Sequence, residues 1–208
     1  MAKGGSYERE ICRRLSLWWS RGENDDLFWR TSGSGARATV RGRKGKRTTN
    51  HCGDICSTDA SSQPLIQTVI FELKRGYSRS TIAELLDCPL GSKQQVYEEW
   101  FEQAETSRKN AGVLAWALVH KRDRREPIIF FQAHLWERLV TCGAEMFSAP
   151  QVRFCVSLRK KELGVTVRET VYGMLLEDFL IKVNPQHILM IHHSVGDQND
   201  QTMPKLQS

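Results

Sequence analysis

A run of β-branched and aromatic residues, Val69-Ile70-Phe71, passes without a break into the charged triplet Glu72-Leu73-Lys74. This composition predicts a strand over residues 65–74, buried and central to a sheet. Side chains alternate across a strand, so Phe71 and Leu73 enter one layer while Glu72 and Lys74 emerge together on the other face. Charged groups at the end of a buried strand are costly to place unless they have a partner or a task. Taken alone, the same tripeptide also describes a surface ion pair on an edge strand. The apolar run directly upstream favours the functional reading.

A second carboxylate, Asp54, lies in Gly53-Asp54-Ile55, with seventeen residues between it and Glu72. A strand is expected to start there. If it pairs with the 65–74 strand, Asp54 and Glu72 converge beside Lys74. Two hard oxygen donors suit Mg2+ or Mn2+, which keep several waters and bind phosphate oxygens. A metal so placed would lower the pKa of a water and stabilise charge on a scissile phosphate, with Lys74 orienting the water or offsetting charge. The expected chemistry is phosphodiester hydrolysis by in-line attack of that water on phosphorus.

Residues 7–19 read as a helix, with Ser6 as N-cap, because Ile11, Leu15 and Trp18 recur at helical spacing beside Cys12 and Trp19. At 100° per residue Glu8 falls within that stripe, whereas Glu10 lies opposite with Arg13 and Arg14. An inward Glu8 needs a cation or metal, and the same site would supply one. The other reading is a first-turn glutamate that favours the helix N-terminus and reaches solvent.

The rest of the chain fits an α/β core, a mixed central sheet flanked by helices. A short strand begins at Leu27, and a polar turn spans residues 57–64. Helices are expected near residues 80–86 and 92–110, the longer one burying Val96, Trp100, Phe101 and Ala104 and stopping at Gly112. Strands at 113–119 and 127–131 flank a charged turn, and a helix follows at 134–140. Further strands are read at 152–158, 164–172 and 188–191, with a helix at 175–183. The expected organisation is a nuclease core over residues 1–148 containing a basic loop at 36–52, a C-terminal extension or subdomain over 149–195, and a disordered tail over 196–208.

Charge narrows the partners. The chain carries +6 overall, yet residues 1–50 hold twelve Lys and Arg against five acids, net +7, so the remainder is nearly neutral. The excess peaks at Arg41-Gly42-Arg43-Lys44-Gly45-Lys46-Arg47, which suits phosphate contacts, although a solvated loop has the same composition. The longest apolar runs fall far short of the roughly 20 residues of a membrane-spanning helix, so no membrane partner is expected. Six scattered cysteines, with no secretion signal read ahead of them, suggest reduced thiols in a cytoplasmic protein.

Four motifs in order, Lys3-Gly4-Gly5-Ser6-Tyr7-Glu8-Arg9-Glu10, Arg30-Thr31-Ser32-Gly33-Ser34-Gly35, Gly53-Asp54-Ile55 and Phe71-Glu72-Leu73-Lys74, resemble those of archaeal-type Holliday junction resolvases and related phage-encoded PD-(D/E)XK nucleases. The resemblance covers residues 3–76. This sequence departs from that pattern in the long basic insertion at 36–52, and its last sixty residues exceed a minimal resolvase. It implies a helix glutamate at Glu8, metal ligands at Asp54 and Glu72 and a catalytic lysine at Lys74. It also implies a homodimer acting on branched DNA, with DNA contacts at Arg9, Arg30, Ser32 and Ser34. Arg37, Arg41, Arg43, Lys44, Lys46 and Arg47 extend that DNA-binding set through the basic loop.

Three other readings stay open. His51, Cys52 and Cys56 could begin a zinc site, with a fourth ligand from elsewhere, or be ordinary loop and core residues. Gln103 could approach the site from the long helix or belong to a polar helix face. His192-His193 has no carboxylate or cysteine at ligand spacing. The whole could also be a noncatalytic DNA-binding protein on a nuclease fold, or a restriction-type endonuclease that reads sequence through its C-terminal region.

Overall fold

The structure is a computed structural model that describes residues 3–31, 53–77, 79–87, 94–160 and 165–201. Helix α1 (Lys3–Trp19) buries Tyr7, Ile11, Cys12 and Leu15. It starts before the expected cap at Ser6, because Tyr7 is itself fully buried and anchors the first turns. The Ser16 hydroxyl, also buried, accepts the Phe28 N–H at 3.0 Å and so docks strand β1 (Phe28–Arg30) on α1. Strand β1 pairs antiparallel with β2 (Ile55–Ser57), Arg30 opposite Ile55, in a two-stranded ribbon separate from the main sheet.

Residues expected to open the long strand instead form helix α2 (Gln63–Thr68). Pro64 sits in its first turn, where a missing N–H costs nothing, and Thr68 Oγ1 donates back to Pro64 O at 2.8 Å. Only Val69–Arg75 is strand, β3. Helices α3 (Glu84–Asp87) and α4 (Val96–Ala111) follow. Gln95 and Glu98 close a reciprocal capping box at the start of α4, and Gly112, with φ 70°, ends it. Next come β4 (Ala115–Lys121), β5 (Ile128–Gln132) and α5 (Ala133–Thr141).

Strands β6 (Gln151–Lys160) and β7 (Val165–Leu175) and helix α6 (Leu176–Lys182) complete the series with α7 (Pro185–Gln201). The strand expected at 188–191 is part of α7, and the tail expected to be disordered from residue 196 is helical as far as Gln201. The four apolar residues at 188–191 do not distinguish strand from helix, and Ile188 and Ile191, three apart, are both buried as a helix requires.

The main sheet has the order β3-β4-β5-β7-β6, so β3 is an end strand, not a central one. β3 and β4 run parallel and the other pairs antiparallel. Residues 149–195 thus add strands to the same sheet. Val69, Phe71 and Leu73 pack with α1, α5, α6 and α7 on one face. Ile70, Trp116, Leu118 and Phe130 meet Trp100, Phe101 and Ala104 of α4 on the other. Glu72 and Lys74 therefore face α4. No described helix is long and apolar enough to cross a membrane.

Candidate active site

An end strand normally exposes unpaired backbone groups. At β3 the free edge is taken up by Asp54. Its N–H donates to Phe71 O at 2.8 Å, its carbonyl accepts from Thr31 N at 3.0 Å, and its Oδ2 accepts from Leu73 N at 2.7 Å. One residue thus stitches the β1–β2 ribbon to the main sheet, by these hydrogen bonds and not by the strand pairing expected. Gly53 makes the approach possible: its φ is 82°, and a Cβ there would lie 2.7 Å from Phe71 O.

Glu72 is 2 % exposed. Its Oε1 accepts from Ser107 Oγ at 2.9 Å and its Oε2 from Gln103 Nε2 at 3.1 Å. Lys74 Nζ lies 3.6 Å from Glu72 Oε2 and donates to Gln103 Oε1 at 2.8 Å. Burial, then the Asp54 carboxylate, pushes the Glu72 carboxyl up to about 7, and Lys74 opposes this. Two carboxylates share a dry corner that holds one lysine. A divalent cation with hard oxygen donors fits that corner, because it would satisfy a charge that the protein itself stabilises only in part.

Gln103, open to two readings from sequence, bridges Lys74 and Glu72 and belongs to the site. Ser107 was not singled out, although it follows Gln103 by one helical turn on the face that carries Trp100 and Ala104. Tyr7, also missed, is buried beneath the Arg75 guanidinium, 5.7 Å from its ring centroid. Glu10 does not stay with Arg13 and Arg14: it meets Lys121 Nζ at 2.9 Å and Arg75 NH1 at 4.0 Å, tying α1 to the ends of β3 and β4.

Glu8 is half-buried and pairs with Arg30 NH1 at 3.6 Å. That guanidinium also lies over Gly5, where a Cβ would be 2.9 Å from it. Among the described residues no three His, Cys, Asp or Glu side chains form a group that could hold a metal ion, so Glu8 stands apart from Asp54 and Glu72. Arg9 is exposed on α1. Cys56 is half-buried, with its thiol against Trp29 O at 3.4 Å, and burial holds its pKa up. Burial raises Cys12 to about 12, with Cys56, Glu8 and Asp54 adding to it. Ser32, Ser34, Arg37, Arg41, Arg43, Lys44, Lys46, Arg47, His51 and Cys52 lie outside the described residues.

On the far side of Lys74, its parallel neighbour His120 is 2 % exposed. His120 Nε2 donates to Gly76 O at 3.1 Å, which leaves Nδ1 to accept from the Tyr97 hydroxyl at 2.8 Å. Burial holds its pKa below the usual range.

A five-stranded mixed sheet, flanked by helices and presenting Asp54, Glu72 and Lys74 at one edge, is the core of a restriction-endonuclease-like α/β protein. The model of the family described as phage putative PDDEXK endonuclease matches residues 1–190, and the chain belongs to this family. It is therefore a phage-type relative within the PD-(D/E)XK nucleases. Comparisons with curated proteins and with solved structures give no match.

Proposed function

We propose that the chain is a divalent-metal-dependent DNA endonuclease that acts on branched DNA in the manner of a Holliday junction resolvase. The observation that carries the nuclease reading is the buried Glu72 carboxylate beside Asp54, with Lys74 held over it by Gln103. Asp54 and Glu72 would hold Mg2+ or Mn2+, which when bound lowers the pKa of a water and neutralises charge on the scissile phosphate. Asp54 uses Oδ2 to hold the Leu73 N–H. Lys74, kept 3.6 Å from the glutamate, places a positive charge where the phosphate arrives. Gln103 and Ser107 orient Glu72 and limit its freedom.

Arg30, paired with Glu8 and partly exposed, would meet a backbone phosphate, and Glu8 would serve the site only if it left that pair. Arg9, Ser32, Ser34, Arg37 and the cations from Arg41 to Arg47 supply the remaining backbone contacts. The branched substrate and the homodimer rest on the ordered motifs shared with the resolvases. Two copies would account for paired nicks.

The test is Mg2+-dependent cleavage of labelled four-way junction, flap, duplex and single-stranded DNA by the wild type beside Lys74→Ala. Symmetric paired nicks on the junction, absent in the variant, are the expected result. Cutting at one defined duplex sequence would replace the resolvase with a restriction-type enzyme. Binding without cleavage of any substrate would leave a noncatalytic DNA-binding protein.

A further inference from the structure

Just past Lys74 the strand ends in an aromatic step. Gly76 and Tyr77 both take left-handed backbone, with φ 92° and 54°. For a tyrosine that conformation is strained and persists only where its surroundings enforce it. Here they do. Gly76 N donates to Lys121 O at 3.1 Å, Gly76 O accepts from His120 Nε2 at 3.1 Å, and Tyr77 O accepts from Ser80 N at 2.9 Å.

The product of this arrangement is a tyrosine left 55 % exposed. Its ring makes a T-shaped contact with Trp100 at 4.8 Å between centroids. Trp100 is held in turn by Tyr97 at 5.1 Å and His120 at 4.8 Å. A T-shaped contact with one neighbour leaves at least one face of the tyrosine uncovered by it. The support beneath is buried and fixed, while the ring above is open.

Helix α4 relates this ring to the site. Trp100, Gln103 and Ser107 pass in order along Tyr77 and His120, then Lys74, then Glu72. Trp100 and Gln103 are separated by about 4.5 Å along the helix axis. A stacked nucleic-acid strand advances about 3.4 Å per nucleotide. Tyr77 and Lys74 thus meet neighbouring turns of the same helix, so a base on the Tyr77 ring would lie close to a phosphate at Lys74. Arg122 is near enough to act electrostatically on Tyr97 and His120, the side chains that hold Trp100, and Glu84 acts on Tyr97 in the opposite sense. An exposed aromatic ring beside a lysine placed for phosphate is the combination that binds unpaired nucleotides.

We infer that Tyr77 is a substrate-binding residue that stacks on an unpaired nucleobase beside the cut. The inference rests on the nuclease reading and sharpens its substrate class: DNA whose bases are unstacked beside the cleavage point, at a branch or a single-stranded extension. It assigns a role to the strained Tyr77 backbone, which the catalytic residues do not require.

The experiment uses the full chain in three forms, wild type, Tyr77→Ala and Tyr77→Phe. Cleavage positions are first mapped on the wild type. Affinity is then measured by fluorescence anisotropy in EDTA, on DNA carrying an abasic nucleotide at each position flanking the cut. Stacking is worth roughly 1–3 kcal/mol per base, so Tyr77→Ala should weaken binding about 5- to 150-fold on intact DNA. Tyr77→Phe should retain the affinity. At one abasic position the wild type should fall to the level of the alanine variant, and the alanine variant should lose nothing more. A loss that is the same at every abasic position, or no loss at all, overturns the stacking role while leaving the nuclease intact. A wild type that neither binds nor cuts DNA overturns both.

Discussion

Glu72→Gln should abolish cleavage and yet stabilise the metal-free protein at alkaline pH. The carboxyl is moved by burial from its ordinary 4.5 to about 7. In free energy this amounts to ~3 kcal/mol between its two protonation states. Because the folded protein holds this proton more tightly than the unfolded chain, the contribution is fully present below about pH 4.5 and is lost as pH rises through 7. Glutamine cannot ionise. Its amide oxygen can accept from Gln103 Nε2 while its NH2 donates to the Ser107 hydroxyl, so Gln103 Oε1 stays on Lys74.

In EDTA, the stability difference between variant and wild type should therefore grow from pH 5 to pH 8 by on the order of 3 kcal/mol, roughly 6–12 °C in melting temperature for a chain of this size. The depressed His120, His134 and His192 act with the opposite sign, gaining stability as pH rises, but they are common to both proteins and cancel in the difference. Saturating Mg2+ should restore the wild type at pH 8 and leave the glutamine protein unchanged. Urea titrations at pH 5, 6.5 and 8 would measure this. A difference that is flat across the range, or that favours the wild type at pH 8 without metal, would refute the claim that Glu72 is a poorly compensated buried carboxyl.

Four further outcomes are expected. Gly53→Ala should destabilise by about 1–3 kcal/mol, seen as a lower melting temperature, because its Cβ would clash with Phe71 O at a left-handed φ. Asp54→Asn should fold normally and fail to cleave, since an amide oxygen can still accept the Leu73 N–H, whereas Asp54→Ala should also lose about 1–3 kcal/mol by leaving that N–H unpaired; equal melts for the two would contradict the stitching role. Gln103→Leu should lower kcat about tenfold or more with little change in KM, which single-turnover kinetics would show. Neutralising Arg41, Arg43, Lys44, Lys46 and Arg47 should weaken DNA binding and flatten its salt dependence by about 0.9 in log-log slope for each phosphate that the protein ceases to neutralise.

Much of this was legible in the chain itself, and the failures have physical causes. Helices α1, α4 and α5 and strands β4 and β5 carry strong periodicity and clear stops such as Gly112, so their existence follows from local sequence. Residues 65–68 misled because a β-branched run continues across the boundary, although Pro64 is a helix-start signal. Strand β3 proved an end strand because burial does not require two strand neighbours: α2, α1 and the Asp54 segment cover it. The face shared by Glu72 and Lys74 follows from strand alternation, whereas Ser107 and the Glu10 bridges depend on which elements pack together, and no local spacing encodes that.

The ribbon of β1 and β2 joins residues on either side of the basic insertion. Arg30 faces Ile55, and the Thr31 N–H is already bound to Asp54 O, so both ends of the intervening stretch are clamped beside Asp54. The loop-closure cost of such a connection grows only with the logarithm of its length, about 0.6 kcal/mol per doubling. The insertion can therefore be lengthened, shortened or exchanged in evolution with little effect on where Asp54 stands. The part of the chain richest in charge can change in sequence and length independently of the anchored Asp54.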